Sequence, residues 1–312
     1  VRVNLMVEGQ ESVTWQQWLD LASAVEDSGL EGLFRSDHYQ SVASRTERSS
    51  LDAWATLAAL AAVTDRIRLG TMVSPASFRH PSVLAKQVVT ADHVSGGRVE
   101  LGLGAGWHEL EHTTYGFPFH DIGTRYDVFA EQLEIVRLQF TEERFDFHGQ
   151  HYTLQGCEAR PEPVQDRLPI ILGGRAGPRG SALAARWADE YNTTFPDLDA
   201  VRERRGNIQR ACDEAGRDML VFSIMTGCLL GRDEDEARDR GRRLHELSRS
   251  DKPFDAWWDG LQDEWVTGSV DRAASRLEEL SRAGVDRIML QHQLHDDLEM
   301  VALVGELAGN GA

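Results

Sequence analysis

The sequence predicts a (β/α)8 barrel. Two observations carry this. About eight short apolar stretches of strand character alternate with helical stretches along the 312 residues, the pattern that builds a parallel sheet with its helices outside. Several of these strands run out into glycines, into Asp-His or into proline, as strands do at a ligand-binding rim. A doubly wound sheet is the alternative that the same alternation allows. In either architecture the ligand belongs at the C-terminal ends of the strands.

From the N-terminus, residues 1–7 alternate and then run apolar, as a strand does. Thr14-Trp-Gln-Gln17 fits a capping box, and Trp15, Trp18, Leu19, Ala22 and Val25 follow at helical spacing until Gly29. Residues 32–36 form a second strand, ending in Asp37-His38. Residues 51–63 carry Leu51, Trp54, Leu57, Ala58 and Ala61 on one helical face. A third strand, 67–73, ends at Ser74-Pro75, and a helix over 83–94 closes at Gly96-Gly97. The fourth strand is Val99-Glu-Leu-Gly-Leu-Gly-Ala-Gly-Trp107, without the G-x-G-x-x-G spacing of a dinucleotide fingerprint.

The rhythm breaks over about 108–168, which read as an insertion on one face of the barrel. One helix is clear there, with Tyr126, Phe129, Leu133, Val136 and Phe140 three and four apart, and residues 145–154 read as a hairpin. Alternation resumes with strand 169–173 and its Gly173 to Gly177 loop, then strands 190–194, 220–230 and 286–291. Residues 233–248 are a highly charged, solvent-facing helix, and 251–267 a loop-rich approach to the last helix, 272–283. The whole chain, 1–312, reads as one barrel domain.

Composition narrows the function. Hydrophobic residues make up 41 % and charged residues 27 %, as in a globular protein with a sizeable core. A net charge of −18 argues against nucleic acid or an anionic membrane surface as partner, because both need a basic face. Cys157, Cys212 and Cys228 fit no metal or redox spacing and suit a reducing compartment. No apolar run reaches membrane-spanning length, and no signal peptide is visible before the first strand, so a cytoplasmic location is expected.

Strand-end placement selects the chemistry-bearing candidates. Asp37-His38 offers an acceptor beside a group that titrates near neutrality, suited to proton transfer. His108-Glu-Leu-Glu-His112 matches the H-E-x-x-H signature of zinc proteases, with Glu109 as base. Its position in a loop after Gly106, with Gly116 close behind and no third ligand apparent, argues against a metal. His148, His151, His292 and His295 read as solvated or core-satisfied residues.

Taken together, Ser36-Asp-His38, Leu69-Gly-Thr-Met-Val-Ser-Pro75, His80-Pro81 with Leu84-Ala-Lys86, Ser95-Gly-Gly-Arg98, Leu101-Gly-Leu-Gly-Ala-Gly-Trp107, Leu172-Gly-Gly174, Ala188-Asp189 and Ala283-Gly-Val-Asp286 resemble the bacterial luciferase-like monooxygenase superfamily. They look closest to its probable F420-dependent oxidoreductases. The resemblance covers nearly the whole chain. It implies a barrel that binds the deazaflavin F420, or alternatively FMN, at its C-terminal mouth. It implies a cis peptide at Met72-Val73 bulging against the ring, with Pro75 ending that strand at the rim. It implies backbone amides of Ala105-Gly106 and of the Gly173, Gly174 and Gly177 loop around the phosphate, with Arg175 adding charge. Asp37 and His38 would contact the deazaflavin head, His38 supplying a proton with Glu109 as second candidate. Arg175 and Arg179 are candidates to meet an acidic cofactor tail. The chain departs from the superfamily's sugar-phosphate dehydrogenases, which carry a glutamate where Trp107 stands. The expected function is hydride transfer between F420 and a small organic substrate, in a homodimer. A reduced-FMN monooxygenase and a non-catalytic flavin-binding protein are the alternatives.

Overall fold

The computed structural model describes residues 1–43, 45 and 47–309. In chain order the first elements are β1 (Arg2–Val7), α1 (Trp15–Asp27), β2 (Gly32–Arg35), α2 (Ala53–Ala61), β3 (Arg68–Thr71), β4 (Ser74–Pro75), α3 (Pro81–Ser95) and β5 (Val99–Gly104). Then come α4 (Glu109–Tyr115), α5 (Ile122–Thr141), β6 (Arg144–His148), β7 (Thr153–Glu158), β8 (Ile170–Gly173), α6 (Pro178–Trp187), β9 (Glu190–Thr194) and α7 (Leu198–Glu214). The chain continues through β10 (Val221–Gly231), α8 (Glu234–Ser248), α9 (Phe254–Glu264), β11 (Val266–Ser269), α10 (Val270–Arg282), β12 (Arg287–Gln291) and α11 (Leu298–Gly309).

The eight strands β1, β2, β3, β5, β8, β9, β10 and β12 pair in that order, all parallel, and β12 closes on β1. The alternation of the sequence thus produces the closed barrel rather than the doubly wound sheet. Each strand is buried on both faces, which is why the stretches read as nearly continuous apolar runs. Outward side chains such as Leu33, Leu69, Leu101, Ile170, Phe222 and Ile288 pack under the helices with Trp18, Leu57 and Leu84. Inward side chains form layers. Met6, Phe34, Met72, Ile171, Met225 and Met289 make an apolar layer inside the barrel. On the N-terminal side of it the buried Arg287 meets Glu31, Glu100 and Glu190.

Local signals do what their chemistry predicts. Thr14 and Gln17 form the reciprocal capping box of α1. Pro81 opens α3, and Gly96 closes it in the left-handed conformation at φ +68°.

The structure revises several expectations. Residues 254–264 form α9 and residues 266–269 form β11, where a loop-rich approach is expected. The helix is held by burial of Trp258, which periodicity alone does not reveal in so polar a stretch. Strand β11 exists because β10 overruns the barrel and offers Cys228 to Gly231 as an edge. The charged helix α8 is not wholly solvent-facing: Ala237, Arg240, Gly241 and Leu244 are buried. Of residues 108–168, α5 packs between α3 and α6 as part of the helical layer. What stands outside the barrel pattern is α4 and the antiparallel hairpin of β6 and β7. No helix among the described residues is long and apolar enough to cross a membrane.

Candidate active site

Strand order decides which rim segments meet. Neighbouring β5 and β8 place the 104–107 and 173–177 loops side by side. Next to them β3 and β4 bring up Met72 to Pro75, with Pro75 paired to Gly104. One strand further, β2 delivers Asp37 and His38. Ala105, Gly106, Gly173, Gly174, Arg175, Gly177, Val73 and His38 therefore belong to one arc of the mouth.

The peptide between Met72 and Val73 is cis. Met72 joins the methionine layer, and Val73 lies between the two glycine loops. A Cβ at Gly104 would meet the Val73 side chain at 2.9 Å, and one at Gly173 at 3.2 Å, so glycine at both ends gives Val73 its place. Gly174 packs on the Tyr191 hydroxyl, which accepts the Ala176 N–H at 2.7 Å. Arg125 donates to the Gly106 carbonyl at 2.7 Å and pins the first loop.

Helix α6 starts at Pro178, and its N-cap Gly177 supplies no side-chain cap. The N–H groups of Arg179 and Gly180 are therefore open to an anion, and the exposed Arg175 stands two residues ahead of the N-cap. Arg179 is already paired, with Asp127 at 2.5 Å. This donor set fits a cofactor with a flat ring and a phosphate. The ring would lie along Val73, and the phosphate against the 105–106 amides, the start of α6 and Arg175.

Asp37 and His38 are adjacent and have different surroundings. Asp37 is 1 % exposed, and both its oxygens are taken. Arg79 donates to them at 2.5 and 3.2 Å, and Ser74 donates at 2.6 Å. Arg79 continues to Asp52 at 2.8 Å and Tyr39 at 3.2 Å. The Asp37 carboxylate thus faces Arg79 and Ser74. Asp37 fixes Arg79 and Ser74, and so the start of the rim loop.

His38 instead shares a 2.7 Å hydrogen bond between Nδ1 and Glu111 Oε2. Glu111 is fully buried, and its other oxygen accepts the Tyr39 and Gln40 N–H groups. Burial alone would push the His38 imidazole down. The Glu111 carboxylate, by hydrogen bond and by charge, outweighs it and holds the pKa above the usual histidine value. Trp107 stands edge-on to His38 at 5.8 Å and is 62 % exposed. His108 lies 6.1 Å from His38, its Nε2 has no partner, and burial holds its pKa down.

The H-E-x-x-H stretch lies on a helix, α4, and not in a loop. His112 is buried, with Nδ1 at 2.7 Å from the His108 carbonyl and Nε2 at 2.6 Å from Ser77 Oγ. Glu109 is exposed. Among the described residues no group of three or more His, Cys, Asp or Glu is placed to hold a metal. His292 and His295 are not satisfied in the core: both His292 ring nitrogens and His295 Nε2 lack partners.

The family model for luciferase-like monooxygenases matches residues 3–302. The chain belongs to this family. A protein of Mycobacterium tuberculosis (strain H37Rv), itself uncharacterized, is 33 % identical over 232 residues, 74 % of this chain and 76 % of its own. Pyrimidine monooxygenase RutA of Stutzerimonas stutzeri is 31 % identical over 235 residues, covering 72 % of this chain and 63 % of its own. Among solved structures, an F420-dependent secondary alcohol dehydrogenase in complex with an F420-acetone adduct superposes with a TM-score of 0.83 at 18 % identity, covering 100 % of this chain and 99 % of its own. Proteins that share this fold bind F420 or FMN. Membership in this monooxygenase family makes the chain an oxidoreductase.

Glu111 and Arg79 are the site residues of this luciferase-like chain that sequence reasoning missed. Nothing local marks Glu111 over Glu109. Only the docking of α4 against the β2 end turns one carboxylate inward and leaves the other in water.

Proposed function

We propose that this chain transfers a hydride between coenzyme F420 and an unsaturated small organic substrate. His38, held by Glu111, exchanges the accompanying proton. The observation that carries this reading is the His38–Glu111 pair at the rim, on the same arc as both glycine loops. When bound, the deazaflavin supplies hydride chemistry. In the reducing direction His38 would donate the proton that accompanies the hydride onto the substrate double bond. Glu111 favours the protonated imidazole and fixes its orientation. Val73 and the loop amides orient the cofactor, and Trp107 stands over the entrance.

The methionine layer supports F420 over reduced FMN. Met6, Met72, Met225 and Met289 sit together inside the barrel. Thioethers are readily oxidised by activated oxygen, and four of them beneath the mouth suit hydride transfer better than oxygenation. The second reading, a reduced-FMN monooxygenase, is favoured by the kinship with RutA and by loops that would equally hold a ring and a phosphate. A fluorescence titration of both cofactors decides. Tighter binding of F420 is expected; micromolar FMN binding without measurable F420 binding would overturn this and favour the monooxygenase.

The chain is further proposed to act as a homodimer. Helix α2 carries no charged residue, and Leu51, Val63 and Val83 are exposed around it. Sedimentation at micromolar concentration should show a dimer, and a lone monomer would refute it.

A further inference from the structure

The arc that follows the second glycine loop, at β9, β10 and β12, is built differently. Phe195 follows β9 with φ +42°, left-handed backbone that a bulky aromatic rarely adopts. It stays 39 % exposed even so. Its N–H donates to the Met225 carbonyl at 2.8 Å, which locks the turn. The Trp265 ring is 6.5 Å away, tilted 32°. Trp265 lies against Gly227, where a Cβ would meet the indole at 2.1 Å. Strand alternation puts Gly227 on the same face as Met225, one step nearer the rim, in register with Gln291. Gln291 donates to Glu8, which also accepts from Gln10 at 2.7 Å, so a polar patch borders this lip.

A solvent-facing aromatic held in left-handed backbone is not a packing solution, because burial does not repay it. Such positions cluster at ligand clamps. The geometry points to Phe195 and Trp265 as the substrate clamp of this mouth, one that accepts a flat, conjugated ring bearing a polar substituent. The two rings offer edges and faces for stacking. Glu8, half-buried beside Gln10 and Gln291, offers a hydrogen-bond acceptor to the substituent. This assignment rests on the mouth being the active site, as proposed above, but not on which cofactor fills it.

The probes are 2-naphthol and its saturated counterpart decahydro-2-naphthol, titrated calorimetrically into the whole protein. The same samples are titrated with F420 and FMN by fluorescence. Wild-type protein should bind 2-naphthol at least ten-fold more tightly than the saturated alcohol. Trp265→Ala should lose about ten-fold in 2-naphthol affinity, and Trp265→Phe should keep most of it. Phe195→Gly serves as the folding control, since glycine relieves the left-handed strain. Its melting temperature should hold or rise while 2-naphthol binding weakens. Cofactor affinity should stay within two-fold throughout. Equal binding of the two alcohols, or full 2-naphthol affinity in Trp265→Ala, overturns the clamp. Loss of F420 binding with the naphthol preference intact would instead refute the proposed cofactor and leave the clamp standing.

Discussion

The two ends of the barrel use charged and polar groups in opposite ways. At the N-terminal end Arg287 is almost fully buried and reaches Glu100 at 2.7 Å, Glu190 at 3.0 Å and Glu31 at 3.0 Å. It also donates to Asn4 at 3.1 Å, and Arg68 closes on Glu100. The carboxylates hold the guanidinium charged, well above its ordinary pKa despite burial. At the C-terminal end His38 is paired through one ring nitrogen only, His108 Nε2 has no partner, and α6 leaves its first turn uncapped. A buried charge ringed by counter-charges fixes a structure. A group satisfied on one side is oriented and still free to react.

This contrast yields graded predictions. The largest effect is expected from Arg287→Met, which leaves the buried Glu190 without a cation and the buried Glu100 with Arg68 alone. It should cost about 3–5 kcal/mol in chemical denaturation, a large share of a typical domain's stability, while turnover per folded molecule is retained. Unchanged stability would break the contrast at the closed end. His38→Ala should do the reverse. Turnover should fall by about 10²–10⁴-fold in a protein that still folds, with cofactor affinity nearly unchanged. Wild-type turnover in the folded variant would remove His38 from the reaction.

Glu111→Gln should be milder and visible mainly in pH dependence. The raised His38 pKa means that the stabilising ion pair is fully present below the unfolded value of about 6.5. It is lost as pH rises through the folded value, and activity that needs the protonated imidazole falls with it. The variant should move this alkaline limb to lower pH in the rate profile and in imidazole NMR titration. A limb that does not move would assign it to another group.

The smallest effect at neutral pH belongs to His292, buried and unpartnered, whose pKa is pushed down to about 3 by burial and by His295. The unfolded chain takes up a proton below about pH 6.5 that the folded chain refuses. Stability should therefore fall by roughly 1.4 kcal/mol per pH unit from there toward pH 3. His292→Phe should flatten this slope and change little at pH 8. An unaltered slope would place the acid sensitivity elsewhere.

Much of the fold was legible because it is repetitive. Each strand at 2–7, 32–35, 99–104 or 287–291 announces itself by a run buried on both faces, and each glycine or proline stop acts within a few residues. Asp37 and Glu111 were not legible. Asp37 looks like an open acceptor beside His38 until Arg79, 42 positions later, closes on it. Glu111 looks like one of two equivalent carboxylates until α4 docks.

By itself the sequence determined the eight-fold alternation, the glycine loops at the ends of β5 and β8, and a histidine at the rim of β2. These rest on local physics: hydrophobic periodicity, capping and the steric freedom of glycine. Only the tertiary structure decided which carboxylate reaches His38, that Asp37 pairs with Arg79, and that Phe195 and Trp265 come together at the lip of β9 and β10. Those facts depend on which side of a helix or strand packs inward. That is set by the closure of the barrel over the whole chain and not by any neighbouring residue.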